Sequence, residues 1–169
     1  MMKTFFCWIG CVISARCVVS QFAERLFESP TIQVGWHDAE RTILIVEAEQ
    51  GWTWEEALVV IIEVVNPTIQ ARAPEPIYSI YHHRTRYFPE GRGALSALRR
   101  MISVNVPNER LLIFVRQSEV INTFLEVALR AFRMFSHLAH THFVQTFEQA
   151  MAIIQNDKRA RENARQRSS

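Results

Sequence analysis

Apolar and polar positions along the first half of the chain alternate with a period of two, then change to a helical period within a few residues. From Thr31 to His37, Ile32, Val34 and Trp36 alternate with Gln33, Gly35 and His37, the period of a half-buried strand. The polar stretch His37-Asp38-Ala39-Glu40-Arg41 separates it from a second run, Thr42 to Glu49, built on Ile43-Leu44-Ile45-Val46. A connection this short predicts an antiparallel hairpin. At Gly51-Trp52-Thr53-Trp54-Glu55-Glu56 the pattern changes. Thr53 is a favoured N-cap, and Glu56, three residues on, completes a capping box. Trp54, Leu58, Ile61, Ile62 and Val65 then share one helix face up to Asn66-Pro67, where the helix is expected to stop. The β-branched run Val59-Val60-Ile61-Ile62 favours strand by propensity alone, but the cap, the length and the spacing favour helix.

Ala73-Pro74-Glu75-Pro76 breaks the chain before a third strand, Ile77-Tyr78-Ser79-Ile80-Tyr81, which ends in His82-His83-Arg84. After Pro89-Glu90-Gly91-Arg92-Gly93, Leu95, Leu98, Met101 and Ile102 mark a helix face. Leu111-Leu112-Ile113-Phe114-Val115 is a continuous apolar run, expected of a strand covered on both faces. Ser118 can cap a long, largely apolar helix, with Glu126 and Arg130 placed as an i, i+4 ion pair. His142-Phe143-Val144 reads as a last strand, and Thr146 with Gln149 as a second capping box before Ala150, Ile153 and Ile154. The order β-β-α-β-α-β-α-β-α predicts an α/β fold: a mixed, mainly parallel sheet with an N-terminal β-hairpin and right-handed crossovers.

A length of 169 residues, 49% of them hydrophobic and 21% charged, suits one domain. The expected organisation is a leader or loosely ordered segment at 1–28, the domain at 29–156 and a charged tail at 157–169. The net charge of +2 is misleading, because Lys158, Arg159, Arg161, Arg165 and Arg167 face only Asp157 and Glu162 near the C-terminus, leaving the remainder slightly acidic. Basic charge confined to a solvated end argues against a nucleic-acid partner. Cys7, Cys11 and Cys17 are the only cysteines, so no disulfide framework or zinc spacing is available to the body of the chain, and no metal or cofactor is expected. Lys3, the apolar run Phe5 to Ile13, and Ser14-Ala15 imitate a secretory signal, interrupted by Arg16. The run is too short to span a bilayer, so a membrane partner is not expected. A signal or anchor, a loosely docked leader and an upstream start codon all remain open for this segment, with a cytoplasmic location as the expectation.

Trp36 in the opening strand, the short hairpin, Trp52-Thr53-Trp54-Glu55-Glu56, Pro89 with Gly93-Ala94-Leu95-Ser96, and Pro107-Asn108 before an apolar strand together resemble small, mostly uncharacterised bacterial proteins with a STAS-like fold. This is the fold of the sporulation anti-sigma factor antagonists. The resemblance covers about Thr31 to Gln155. It implies a non-enzymatic regulatory or protein-interaction domain. The antagonists are switched by phosphorylation of a serine at the start of the helix after a central strand. Here Thr85 to Gly93 contains no Asp-Ser pair and Ser96 lies a turn inside the helix, so the phosphoswitch does not carry over.

Two candidate surfaces follow from the residues themselves. Parallel sheets place ligands at the carboxyl ends of strands, where helix N-termini attract anions. Gly91 and Gly93 would let backbone amides approach, and Arg84, Arg86 and Arg92 could pair with phosphate or carboxylate. The alternative function is therefore binding of a small anionic ligand, although the loop matches no phosphate-binding fingerprint. The second surface is an interface. The helices at Trp54 to Val65 and Glu119 to Ser136 carry more apolar positions than one core stripe uses. Trp52, Val59, Val127 and Met134 are the candidate contacts for a homodimer or a protein partner. His82-His83 and His137, His140 and His142 lack accompanying acids at ligand spacing. With no Gly-x-Ser-x-Gly elbow and no cysteine in the body, no catalytic residue is assigned and an enzyme is not expected.

Overall fold

The computed structural model describes residues 22–85, 93–104, 106–116 and 140–167, without the side chains of Leu95, Ile102 and Arg116. A strand that the apolar pattern does not announce, β1 (Glu24–Glu28), forms one edge of the sheet and pairs antiparallel with β2 (Ile32–Trp36). It lies in the range expected as a leader. With Glu24, Arg25 and Glu28 it reads as polar, as suits an edge that must not recruit a further strand. The predicted hairpin joins β2 to β3 (Ile43–Ala48), in register from Ile32 opposite Ala48 to Trp36 opposite Leu44. Its turn is held by Asp38, whose Oδ1 accepts from the amides of Thr42 at 2.9 Å and Ile43 at 2.8 Å. From β3 onward the neighbours are parallel: β4 (Ile77–His83), β5 (Glu109–Arg116) and β6 (Thr141–Val144). The sheet is mixed and six-stranded, in the order β1-β2-β3-β4-β5-β6.

Because strand side chains alternate between faces, the sheet builds two cores. Leu44, Val46, Ala48, Ile77 and Leu112 pack against α1 (Trp54–Val60), α2 (Asn66–Gln70) and α3 (Ala94–Ser103). Ile43, Ile45, Tyr78, Ile80 and Ile113 pack against Ala150 and Ile154 of α4 (Phe147–Arg167) on the other face. The apolar run in β5 is explained by this double cover, with Leu111, Ile113 and Val115 in one core and Leu112 and Phe114 against the other. The helix expected between Ser118 and Ser136 lies outside the described residues.

Thr53 caps α1 as expected, its hydroxyl accepting from the Glu56 amide at 3.1 Å. The other half of the capping box takes a different partner. The Glu56 carboxylate accepts from Ser29 Oγ and Thr31 Oγ1, each at 2.6 Å, and so fastens the helix start to the β1–β2 turn. Gly51, at φ +96°, makes the turn into this segment in a conformation that disfavours a side chain.

The helix does not stop at Asn66-Pro67. A π-helical stretch, Ile61–Val65, follows α1 and leads directly into α2, with the Asn66 amide donating to the Ile61 carbonyl five residues back. Pro67 then falls at the start of α2, where a missing N–H is tolerated. The π stretch also accounts for the crowded β-branched run. Val60 and Val65 are both buried in the same core although five residues apart, a spacing that would turn them roughly 140° away from each other in an α-helix. One inserted residue restores the face. Deleting the exposed Glu63 should therefore convert the π stretch to α-helix and leave the fold intact, with a stability change within about 1 kcal/mol. Loss of the folded near-ultraviolet dichroism in that deletion would count against the register argument.

At the far end, Thr146 and Gln149 form the second capping box, with the Gln149 amide 3.3 Å from Thr146 Oγ1 and the Gln145 amide 2.9 Å from Gln149 Oε1. The range expected as a charged tail is helical through Arg167, and its first residues are docked. Asp157 accepts from Tyr78 at 2.9 Å and from Arg110 at 3.0 Å, and Lys158 donates to Thr42 Oγ1 at 2.7 Å. The Arg110 guanidinium holds the Asp157 carboxyl below the usual range, against the effect of burial.

Candidate functional site

The loop after β4 is only partly in view. Arg86, Gly91 and Arg92 lie outside the described residues. Gly93 sits at φ +152° immediately before α3, its carbonyl accepting from the Ala97 amide at 2.7 Å. Arg84 is already paired. It donates to Glu47 Oε1 at 2.8 Å and lies 3.5 Å from Glu49, so its charge is largely answered within the protein. Glu47 also approaches His82 Nδ1 at 3.3 Å. His82 and His83 point to opposite faces, as alternation requires. His82 lies towards Phe147 of α4, and the His83 ring meets Trp52 at 5.3 Å. His140 and His142 are exposed, and His137 lies outside the described residues. Among the described residues no group of three or more His, Cys, Asp or Glu side chains could hold a metal ion.

The interface candidates separate. Trp52, expected to reach a partner, is 6% exposed and packs edge-on against Trp54 at 5.0 Å. The turn that carries it folds under the helix start, so both indoles enter the core. Val59 is 50% exposed, and with Leu26 it accounts for the exposed large hydrophobics among the described residues. Val127 and Met134 lie outside them.

What the sequence did not signal is a cavity of about 110 Å³ between the sheet and the helices α1 to α3. Its walls are mainly apolar, with Ile32, Val46, Leu98, Met101, Leu112 and Phe114 among the residues facing it. Polar groups in its lining come from four places in the chain: Trp52 in the turn, Asn66 after the π stretch, Tyr81 and His83 on β4, and Glu109 at the start of β5. Two of these groups have no hydrogen-bond partner among the described residues, the Trp52 Nε1 and the Asn66 Nδ2. Both residues are more than nine-tenths buried. An orphaned buried donor is uncommon, and each calls for an explanation.

The electrostatics of the cavity favour neutral groups. Burial holds the Tyr81 phenol well above its ordinary range, and the Glu109 carboxyl adds to the effect. Burial likewise raises the Glu109 carboxyl, with the Ser79 hydroxyl offsetting part of the shift. Both shifts favour the proton-bearing forms, in which the two groups can donate hydrogen bonds. Asn66 was legible in the sequence only as a helix stop and Tyr81 only as a strand residue.

No family model, curated protein or solved structure matches this chain.

Proposed function

We propose that this chain is a non-enzymatic regulatory domain of STAS-like type that acts by binding, and that the cavity between the sheet and α1 to α3 holds the small molecule it responds to. The observation that carries this reading is the cavity of about 110 Å³, walled mainly by apolar side chains with Tyr81, His83 and Glu109 among its polar lining. An apolar cavity with a few convergent polar groups is the usual form of a small-molecule site. The coarse architecture supports the resemblance as far as the antiparallel hairpin leading into parallel strand-helix units. The anionic-ligand alternative at the loop after β4 is weakened by the Glu47 and Glu49 carboxylates that already engage Arg84. A protein partner or self-association would use Val59, the one interface candidate found exposed.

The test is occupancy. Xenon or a small cyclic hydrocarbon should bind, shift the resonances of cavity residues, and stabilise the fold by about 2.7 kcal/mol at a hundredfold excess over Kd. Ala57→Leu, which adds volume to the cavity wall, should abolish that binding while the fold is kept. Equal binding by the wild type and the filled variant would remove the cavity from consideration.

A further inference from the structure

Resting on the reading of the cavity as a ligand site, we propose that its occupant is a small amine, an apolar body of about five carbons that carries an ammonium group, and that the Glu109 carboxyl is its counter-ion. The size follows from the volume: about 110 Å³ is somewhat less than the roughly 150 Å³ of an engineered apolar cavity that takes up benzene. The apolar body follows from the walls of Val46, Leu98, Met101 and Leu112.

The ammonium follows from what the polar part of the lining offers. Glu109 is the only acid among the described lining residues, and no lysine or arginine accompanies it there. Arg110, the next residue, turns to the other face of the sheet and binds Asp157 of α4. Glu109 therefore has no cation beside it among the described residues, and burial holds its carboxyl above the usual range. The carboxyl is nevertheless reachable. Glu109 and Tyr81 are both half-buried, and neither the carboxyl oxygens nor the Tyr81 hydroxyl is among the atoms closed off from water without a partner. Both residues line the cavity. An apolar guest leaves the carboxyl in its proton-bearing form, whereas a cation within about 4–6 Å stabilises the ionised form. The exchange is balanced: the ammonium enters, the O–H bond of the Glu109 carboxyl breaks, and the proton leaves to water, so the net charge of the cavity is unchanged. An anion would lose its water shell and find no cation among the described lining residues. The rest of the wall also suits a cation. The rings of Tyr81 and Phe114 stand 5.3 Å apart in it, and an aromatic face within about 6 Å attracts an ammonium.

The experiment titrates cyclopentylamine, cyclopentanol and methylcyclopentane, which share nearly the same shape, into the full chain and into Glu109→Gln. Amide resonances give the affinities, and the carbon-13 resonance of the Glu109 carboxyl gives its ionisation, at a pH where the ligand-free protein holds that group as the acid. All three should enter the wild type, the amine about tenfold more tightly than the alcohol, and only the amine should move the carboxyl resonance to its ionised position. In Glu109→Gln, which keeps the size and removes the acid, the amine should weaken about tenfold and methylcyclopentane by no more than about twofold. Hydrocarbon binding then doubles as the control for an intact cavity. Should the variant fail to fold, the carboxyl resonance of the wild type decides. An amine that binds no more tightly than the alcohol, or that leaves the carboxyl resonance unmoved, overturns the inference while leaving the cavity reading in place. An amine that binds folded Glu109→Gln as tightly as the wild type overturns it likewise. If none of the three binds the wild type, the cavity reading itself fails.

Discussion

Gly35→Ala is expected to cost about 3 kcal/mol of stability and to detach β1 from the sheet. Gly35 lies in the middle of β2, opposite Arg25 on one side and Ile45 on the other. A Cβ built there would stand 2.5 Å from the Glu24 carbonyl oxygen and 2.6 Å from Phe22 Cδ1. The ring could swing away, but the carbonyl belongs to the backbone of the neighbouring strand. Relieving the contact therefore means moving β1, which also breaks the ladder continuing into the Ala23 amide's bond to Trp36 O at 2.7 Å. Gly51→Ala makes the contrast. Its nearest neighbour would be Thr31 Cγ2 at 3.6 Å, so only the positive φ is at stake, at roughly 1 kcal/mol. Urea denaturation measures both costs, and hydrogen exchange at the β1 amides shows whether the loss at Gly35 is local. A Gly35→Ala protein as stable as the wild type would mean that β1 is not held against β2 at this separation.

That same glycine shows where sequence reading reaches its limit. Gly35 fitted the alternation of Ile32, Val34 and Trp36 as a polar-side position, and the strand was legible. The reason for a glycine was not, because it lies in β1, an edge strand whose polar residues give no apolar period. Patterns that depend on one element were readable: the β2–β3 hairpin, the doubly covered β5, and the Thr53 and Thr146 caps. Features that depend on the meeting of several elements were not. The π stretch escaped because Trp54, Ile61 and Val65 satisfy an α-helical template, while the buried pair Val60 and Val65 requires one residue more. The cavity escaped because Trp52, Asn66, Tyr81 and Glu109 come from separate elements and none has an unusual neighbour in sequence. The partners of charged residues were the least legible of all. Glu56 has the spacing of a capping box, but its carboxylate reaches the β1–β2 turn. Arg84 has the place of a ligand-binding arginine, but a buried acid from β3 already engages it.

That acid is the basis of the second large effect. Glu47→Ala is expected to destabilise the protein by about 3 kcal/mol. Glu47 is the one charged residue of an otherwise apolar strand, yet its side chain is only 5% exposed. It persists there because two partners converge on Oε1, Arg84 at 2.8 Å and His82 at 3.3 Å. Removing the carboxylate leaves a guanidinium that is itself 25% exposed facing the space the acid filled, and a buried imidazole without its acidic partner. The loss should stay at the lower end for a broken buried pair, because Arg84 retains Glu49 at 3.5 Å and some contact with water. Two further variants separate the pair from the packing. Arg84→Ala alone should cost at least as much as Glu47→Ala, because it leaves the more deeply buried carboxylate without its cationic partner, and the double variant should cost about 1 kcal/mol less than the two added together. Strict additivity would show that Glu47 contributes through the volume it fills and not through its charge. The double-mutant cycle also bears on the site at the carboxyl ends of the strands. In Glu47→Ala the Arg84 guanidinium is released from its strongest partner, so any affinity of this loop for a small anion should rise above that of the wild type. If phosphate or a carboxylate stabilises the variant no more than it stabilises the wild type, Arg84 is a structural counter-charge to Glu47 and not an anion-binding group.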